Sequence, residues 1–323
     1  MQNNKINKLL KHIISFKNTI ILVVVFLGLG TGTISAQQEP QYSQYMFNLL
    51  NINPAYAGNR EVHNITLLYR NQWTGIEGAP RTGTLSWDHR STNSNVGYGI
   101  QVGNDKLGVE NTTFLKGFYS YRIPFKNSSL SLGIDAGVLN YRADYTKINT
   151  STSGDPLFQD NVNKYMPRVG VGGLYESDRF YIGLSVPDLL NTKVVDNDEL
   201  VHFVPKPHFY LNGGVMFDLS QSVKLKPSLL VKAVSGAPIQ CDINLNSWFN
   251  NTLGFGLSYR TNDAIIGSFE LQLAPFVRLG YAYDYSINRL KTYNNSGTHE
   301  IMLRFEFNNG NSNKDKVLSP RYY

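Results

Sequence analysis

The sequence predicts an all-β protein: a transmembrane outer-membrane β-barrel of about 14 antiparallel strands, preceded by an N-terminal segment outside the barrel. Three observations lead there. Side-chain character alternates with period two along most of the chain. The alternating runs last about nine to twelve residues, near the nine to eleven that a tilted strand needs to cross a bilayer and beyond the usual five or six of a soluble strand. Only 17% of the 323 residues are charged, against roughly 25% in an ordinary soluble domain. A mean hydropathy of -0.26 argues against a bundle of membrane helices, which needs several apolar runs of about 20 residues each.

The single long apolar run, Ile20 to Leu29, is too short to span a bilayer comfortably, and it follows Lys5, Lys8, Lys11 and Lys17 with no acidic residue among them. Gly28, Gly30 and Gly32 then lead to Ile34-Ser35-Ala36 and a Gln-rich stretch. A basic region, a short apolar region and a small residue at the cut are the layout of a secretory signal peptide, here residues 1–36. Removing it leaves 287 residues and takes away four lysines, which lowers the net charge from +6 to +2. The pI near 9.1 therefore describes the leader and is no sign of nucleic-acid binding. Cys241 stands alone and forms no internal disulfide, and no Cys follows the cut to carry a lipid anchor.

Residues 37–61 are rich in Tyr, Asn, Gln and Phe, with a turn-prone Asn53-Pro54 and Gly58, and are too polar for a lipid-crossing strand. Aromatic and amide side chains supply contact area and hydrogen bonds, so this segment is expected to pack as a plug or shelf at the periplasmic mouth. Strands are expected near 62–73, 81–90, 95–104, 111–122, 128–141, 166–175, 179–186, 207–217, 222–233, 239–248, 252–260, 264–273, 275–285 and 297–307. The alternation is plainest at Leu253-Phe255-Leu257-Tyr259, at Val277-Leu279-Tyr281-Tyr283-Tyr285 and at Ile301-Leu303-Phe305-Phe307. An even count returns both ends to one side of the membrane, and closure is required because an open edge in lipid leaves backbone groups unsatisfied. Gly236-Ala237-Pro238, Asn262-Asp263 and Ala274-Pro275 read as tight turns. The longer links near 142–165, 187–206 and 286–296 read as loops of the opposite, exterior side. Gly170-Val171-Gly172-Gly173 lies inside a strand and suggests close packing or a bulge. Tyr69, Trp73, Trp87, Tyr119, Tyr121, Tyr181, Tyr259, Tyr283 and Tyr285 fall near strand ends, as in the aromatic girdles of outer-membrane barrels. Residues 308–323 form a tail beyond the last strand.

The same register turns Arg70, Lys116, Arg122, Asp135, Arg260, Arg278, Asp284, Arg304 and Glu306 into the lumen, since an Arg or Lys facing the lipid midplane costs about 2–4 kcal/mol. They are expected as a solvated lining or an ion-pair ladder. About eight strands suffice for a side-chain-filled interior, so a lumen of this size must hold water, a loop or a terminal segment. Catalytic chemistry is absent from the pattern. The six His are scattered without metal-ligand spacing, and neither a phosphate-cradling loop nor a G-x-S-x-G elbow occurs. No enzyme activity and no cofactor are expected.

The distinctive stretches are Gln41-Tyr42-Ser43-Gln44-Tyr45-Met46-Phe47-Asn48, Asn53-Pro54-Ala55-Tyr56-Ala57-Gly58, Tyr69-Arg70-Asn71-Gln72-Trp73 and Gly78-Ala79-Pro80-Arg81-Thr82. Together they resemble the opening signature of the PorP/SprF family of outer-membrane barrel proteins of the type IX secretion system in Bacteroidetes. The likeness continues through Asn104-Asp105-Lys106-Leu107-Gly108, the run from Tyr181 to Leu190, and Tyr281-Ala282-Tyr283-Asp284-Tyr285 to Gly297-Thr298-His299-Glu300. The resemblance implies a non-enzymatic outer-membrane role in protein secretion, gliding motility and cell-surface anchoring. The implied partner is a secreted cargo with a type B C-terminal domain, such as a gliding adhesin, alongside other secretion components. Gln41, Tyr45, Met46, Asn53, Pro54, Tyr56, Gly58, Arg70, Trp73 and Arg81 are the candidate signature or partner-binding residues. The fold alone leaves an alternative open, an outer-membrane porin or solute channel.

Overall fold

The structure, a computed structural model, describes residues 40–60, 62–91, 94–147, 160–190, 194–195, 201–203, 206–292 and 296–307. The expected signal peptide and the tail 308–323 lie outside them. Among the described residues fourteen strands form the barrel: β1 (His63–Asn71), β2 (Arg81–Arg90), β3 (Val96–Leu107), β4 (Glu110–Pro124), β5 (Ser128–Ala143), β6 (Val162–Ser177), β7 (Phe180–Val186), β8 (His208–Val215), β9 (Val223–Val234), β10 (Gln240–Phe249), β11 (Leu253–Arg260), β12 (Ala264–Ala274), β13 (Val277–Ser286) and β14 (Thr298–Phe307). Each pairs antiparallel with its neighbours in sequence. The sheet closes where β1 meets β14, in register from His63 opposite Phe307 to Asn71 opposite His299. Closure pairs the edge backbone groups that lipid could not solvate.

The strand count and order agree with the alternation, and the boundaries differ in places. β5 runs on to Ala143 and β6 begins at Val162, so both ends of the link expected at 142–165 are paired strand. Polar residues such as Arg142 and Asn163 hide this extension, because above the lipid the greasy alternation is no longer required. Val194–Val195 and Val201–Phe203 make a small antiparallel ladder within the link after β7, too short to show a period. Phe217–Asp218 carries β8 past Met216 along β9. The ladder between β5 and β6 passes Gly170 to Gly173 without a register shift, so these glycines mark no bulge.

Because direction reverses at every strand, the links fall alternately at two ends. The terminal end holds the start of β1, the end of β14 and the links 91–95, 125–127, 178–179, 216–222, 250–252 and 275–276. The loop end holds the others. Gly236-Ala237-Pro238 and Asn262-Asp263 are short turns, with Gly236 at φ +82 and Asn262 at φ 57, yet they lie at the same end as the long links. Length had suggested the opposite side, but the parity of the strands decides the matter.

One face of every strand is greasy and exposed: Leu67, Leu115, Ile134 and Leu257 remain 43%, 46%, 55% and 61% accessible. Rings border this belt, with Trp87, Tyr98, Tyr119 and Tyr121 toward the terminal end and Tyr69, Phe209, Tyr259 and Tyr285 toward the loop end. Tyr181 leaves the expected girdle. It shares the inward parity of Gly183 and Ser185 and packs edge-on against Tyr56, with centroids 6.4 Å apart. Trp73 lies beyond β1 in the following link, at φ 46.

An outward charge near the middle of this belt is expected to destabilise the barrel. Leu257→Arg should cost about 2–4 kcal/mol, read as a lower urea midpoint for folding into phospholipid vesicles, whereas Leu257→Ile should leave the midpoint nearly unchanged.

Candidate functional site: the occupied lumen

The inward face of the cylinder is polar, and the chain before β1 fills the space it encloses. Residues 43–48 and 52–59 are buried almost throughout, although they belong to no strand. Three short 3-10 turns shape this segment, at Tyr45–Phe47, Leu49–Asn51 and Pro54–Tyr56. Asn53 caps the last of them by accepting the Ala55 N–H at 2.9 Å, and Pro54, which has no N–H to satisfy, opens it. Gly58 then takes φ +66, with the backbone of His89 and Gly97 where a side chain would stand.

The direction of travel differs from the expected shelf at the periplasmic mouth. Gln41 donates to Gln240 at 2.8 Å and accepts from Arg260 at 3.1 Å, both at the loop end. Asn48 and Asn51 meet Ser86 and Gln101 at mid-height, at 3.1 and 2.6 Å. Gly58, Asn59 and Arg60 reach Asp88, Glu176 and Glu306 at the terminal end, at 2.9, 3.0 and 2.8 Å. The segment thus runs the height of the lumen from the loop end and hands over to β1 below. Its cross-chain bonds are what sequence periodicity cannot display.

Near the loop end a carboxylate clamp holds the backbone. Glu300 accepts the N–H groups of Ser43 and Gln44 at 2.8 and 2.7 Å. Arg70 bridges Glu300 and Asp284 at 3.0 and 2.8 Å and donates to the Ser43 hydroxyl at 2.7 Å, while that hydroxyl donates to Asp284 at 2.6 Å. Arg260 binds Asp242 at 3.0 Å and the carbonyl of Tyr42 at 3.2 Å. Lower down, Arg304 binds Glu270 at 2.7 Å, and Arg304 and Arg60 both donate to the Phe47 carbonyl, at 3.2 and 3.0 Å. On another wall Lys116 lies between Asp135 and Asp188, at 3.6 and 3.5 Å, and Arg168 also pairs with Asp188. Arg122 meets Glu176 at 2.7 Å.

Between these charges the segment contributes grease. Tyr45, Met46, Phe47 and Ile52 pack with Tyr210, Leu230, Trp248 and Met302 in one buried cluster, with Phe47 edge-on to Trp248 at 6.3 Å. The Tyr45 hydroxyl accepts from Asn244 at 2.5 Å, and Asn212 donates to the Tyr56 hydroxyl at 3.4 Å. Space is made on the wall: a Cβ at Gly133 would stand against Pro54 and Ala55, and one at Gly172 against Asn53.

The candidate residues thus divide. Gln41, Tyr45, Met46, Asn53, Pro54, Tyr56 and Gly58 all lie in the lumen segment, and Arg70 clamps it. Trp73, whose N–H donates to Thr298 at 3.1 Å, sits in the first loop-end link, and Arg81 faces outward from β2. Sequence reasoning named Arg70, Lys116, Arg122, Arg260, Arg278 and Arg304 but missed the inward cations Arg168, Lys226 and Lys232 and the acids Asp88, Glu176, Asp242, Glu270 and Glu300. Extending the period-two register by one step from Arg304 and Met302 reaches Glu300, and the inward parity of Ile266 reaches Glu270, so the signal was present.

A family model described as type IX secretion system membrane protein PorP/SprF matches residues 34–305. The chain belongs to the PorP/SprF family. Family and fold together place this PorP/SprF protein in the outer membrane, where short turns face the periplasm and longer loops the exterior, so its terminal end is periplasmic. Among solved structures, the CymD monoaromatic hydrocarbon channel is similar at 13% identity over 87% of this chain and 96% of that one, with a TM-score of 0.50. The P. putida toluene transporter TodX follows at 9% identity, 84% and 95% coverage and a TM-score of 0.47. The Acinetobacter baumannii outer membrane protein Omp33 shows 8%, 76%, 98% and 0.46. At 13% identity the likeness to CymD is one of fold alone. No curated protein matches the chain.

Two outcomes test the lumen segment. In the folded, detergent-extracted protein, residues 40–60 should resist protease under conditions that cut exposed loops. Arg70→Ala, which leaves Glu300 and Asp284 buried and short of a partner, should destabilise the segment by about 3–5 kcal/mol, read as new cleavage within 40–60, whereas Arg81→Ala should not.

Proposed function

We propose that this PorP/SprF protein helps export a cargo protein bearing a type B C-terminal domain and hold it at the cell surface, a gliding adhesin being the cargo class the family resemblance implies. The observation that carries this reading is the occupied lumen. A segment bonded to walls all round the cylinder suits a rigid membrane body that presents its loop end to a partner, and suits a solute path poorly. In this reading the signature residues from Gln41 to Gly58 act by fixing that segment, with Arg70 as its anchor, rather than by touching cargo. The cargo surface is the set of exterior loops, where 142–165 and 187–206 combine steering charge with apolar anchors; half of these two stretches lies outside the described residues.

The alternative, a porin or solute channel, keeps its standing from the fold and requires the segment to leave or to pass water. Planar-bilayer recording separates the two. The intact protein should be electrically silent and deletion of 41–58 should give steady conductance, while open-pore conductance from the intact protein would favour the channel. A pull-down from solubilised envelopes should bring along one large surface protein, and deletion of loop 187–206 in a still-folded barrel should lose it.

A further inference from the structure

On the outer wall the register of β2 to β5 sorts side chains into layers. Leu85, Val102, Leu115 and Val138 stand opposite one another in a greasy row. Two residues nearer the loop end, about 7 Å up the strands, the row is Gly83, Asn104, Thr113 and Asn140. Asn104 there donates to Thr113 at 2.9 Å. Two residues further the row is Arg81, Lys106, Asn111 and Arg142. Hydrocarbon, amide and cation follow one another as acyl chain, interface and headgroup do in a leaflet.

Arg81 and Lys106 are exposed, directly opposite each other on adjacent strands. Like charges so placed repel, and no carboxylate among the described residues forms an ion pair with Arg81, Lys106 or Arg142. Asp144, whose field reaches Lys106 and Arg142, is already bound to Lys147 at 2.9 Å. Below the pair the wall is hollowed. A groove of about 480 Å³ runs between Leu67, Tyr69, Leu85, Val102, Ile301 and Leu303, and Gly83 contributes no side chain to it. A Cβ at Gly83 would meet nothing within 4 Å, so the groove is open there.

We infer that this wall binds a phosphate-bearing lipid of the outer leaflet, with an acyl chain in the groove at Gly83 and phosphate on Arg81 and Lys106. Arg142, in the same row, receives a second anionic group. An acidic protein surface would satisfy the cations but not the greasy groove beneath them, which faces hydrocarbon. Only an anionic amphiphile satisfies both. The site lies outside the lumen and does not depend on which cargo is served.

The test uses the full, detergent-purified protein titrated with diphosphoryl lipid A and, separately, with inorganic pyrophosphate, read by native mass spectrometry. Charge-assisted contacts of this kind set affinity on the order of tenfold or more. R81Q/K106Q/R142Q and, independently, G83L should each weaken lipid A binding by about that factor while keeping the heat-dependent gel mobility of a folded barrel. Pyrophosphate should bind far more weakly than the lipid. Unchanged lipid A binding in either folded variant overturns the proposal, as does pyrophosphate binding as tight as the lipid's. So does a triple variant that binds lipid normally but loses an acidic protein partner, which would make the row a protein-docking surface.

Discussion

Lipid offers nothing to a backbone N–H or C=O, and that constraint governs the rest of the molecule. It forces every strand to find two neighbours, and so forces β1 back onto β14. Closure in turn divides each strand into a face that must be greasy and a face freed to be polar. The outer face accordingly keeps large apolar side chains exposed that a soluble protein would bury.

A cylinder of fourteen strands is wider than its own side chains can fill, so the interior becomes the place where a second solution is needed. Here the chain supplies it from its own N-terminal side. The core of the protein is therefore largely inside the barrel, built from Tyr45, Met46, Phe47 and Ile52 against Trp248 and Met302, and it is tied by ions rather than by sheet. Arg70, Asp284 and Glu300 are almost fully buried. Burying such charges gains little net stability over an apolar filling, and its best-attested use is to specify one arrangement. With Glu300 gripping two consecutive backbone amides, the segment is fixed in height and in register as apolar contact alone would not fix it.

The exterior shows a different economy of the same alternation. Where strands rise past the hydrocarbon, as β5 and β6 do, the outward positions turn to amides and cations without breaking the ladder. The chain can thus present chemistry at the headgroup level on a rigid sheet rather than on a loop. Membership of the type IX secretion family agrees with a body of this design, held within the membrane.

The sequence by itself determined the fold class, the number and order of the strands and the inward facing of cations such as Arg70, Arg260 and Arg304, because a period of two in lipid admits only one assignment of faces. It also marked Gln41 to Gly58 as distinctive. It could not say that this segment enters from the loop end, that Glu300 meets Ser43, or that Tyr181 turns inward to Tyr56, since those contacts join residues more than a hundred positions apart and leave no local period. Strand parity, which follows from the order of the strands alone, sets Gly236 and Asn262 on the side that link length had denied them. What one strand does is written along the chain; what fills the space between fourteen of them depends on the cylinder's width, and that exists only after the ring is complete.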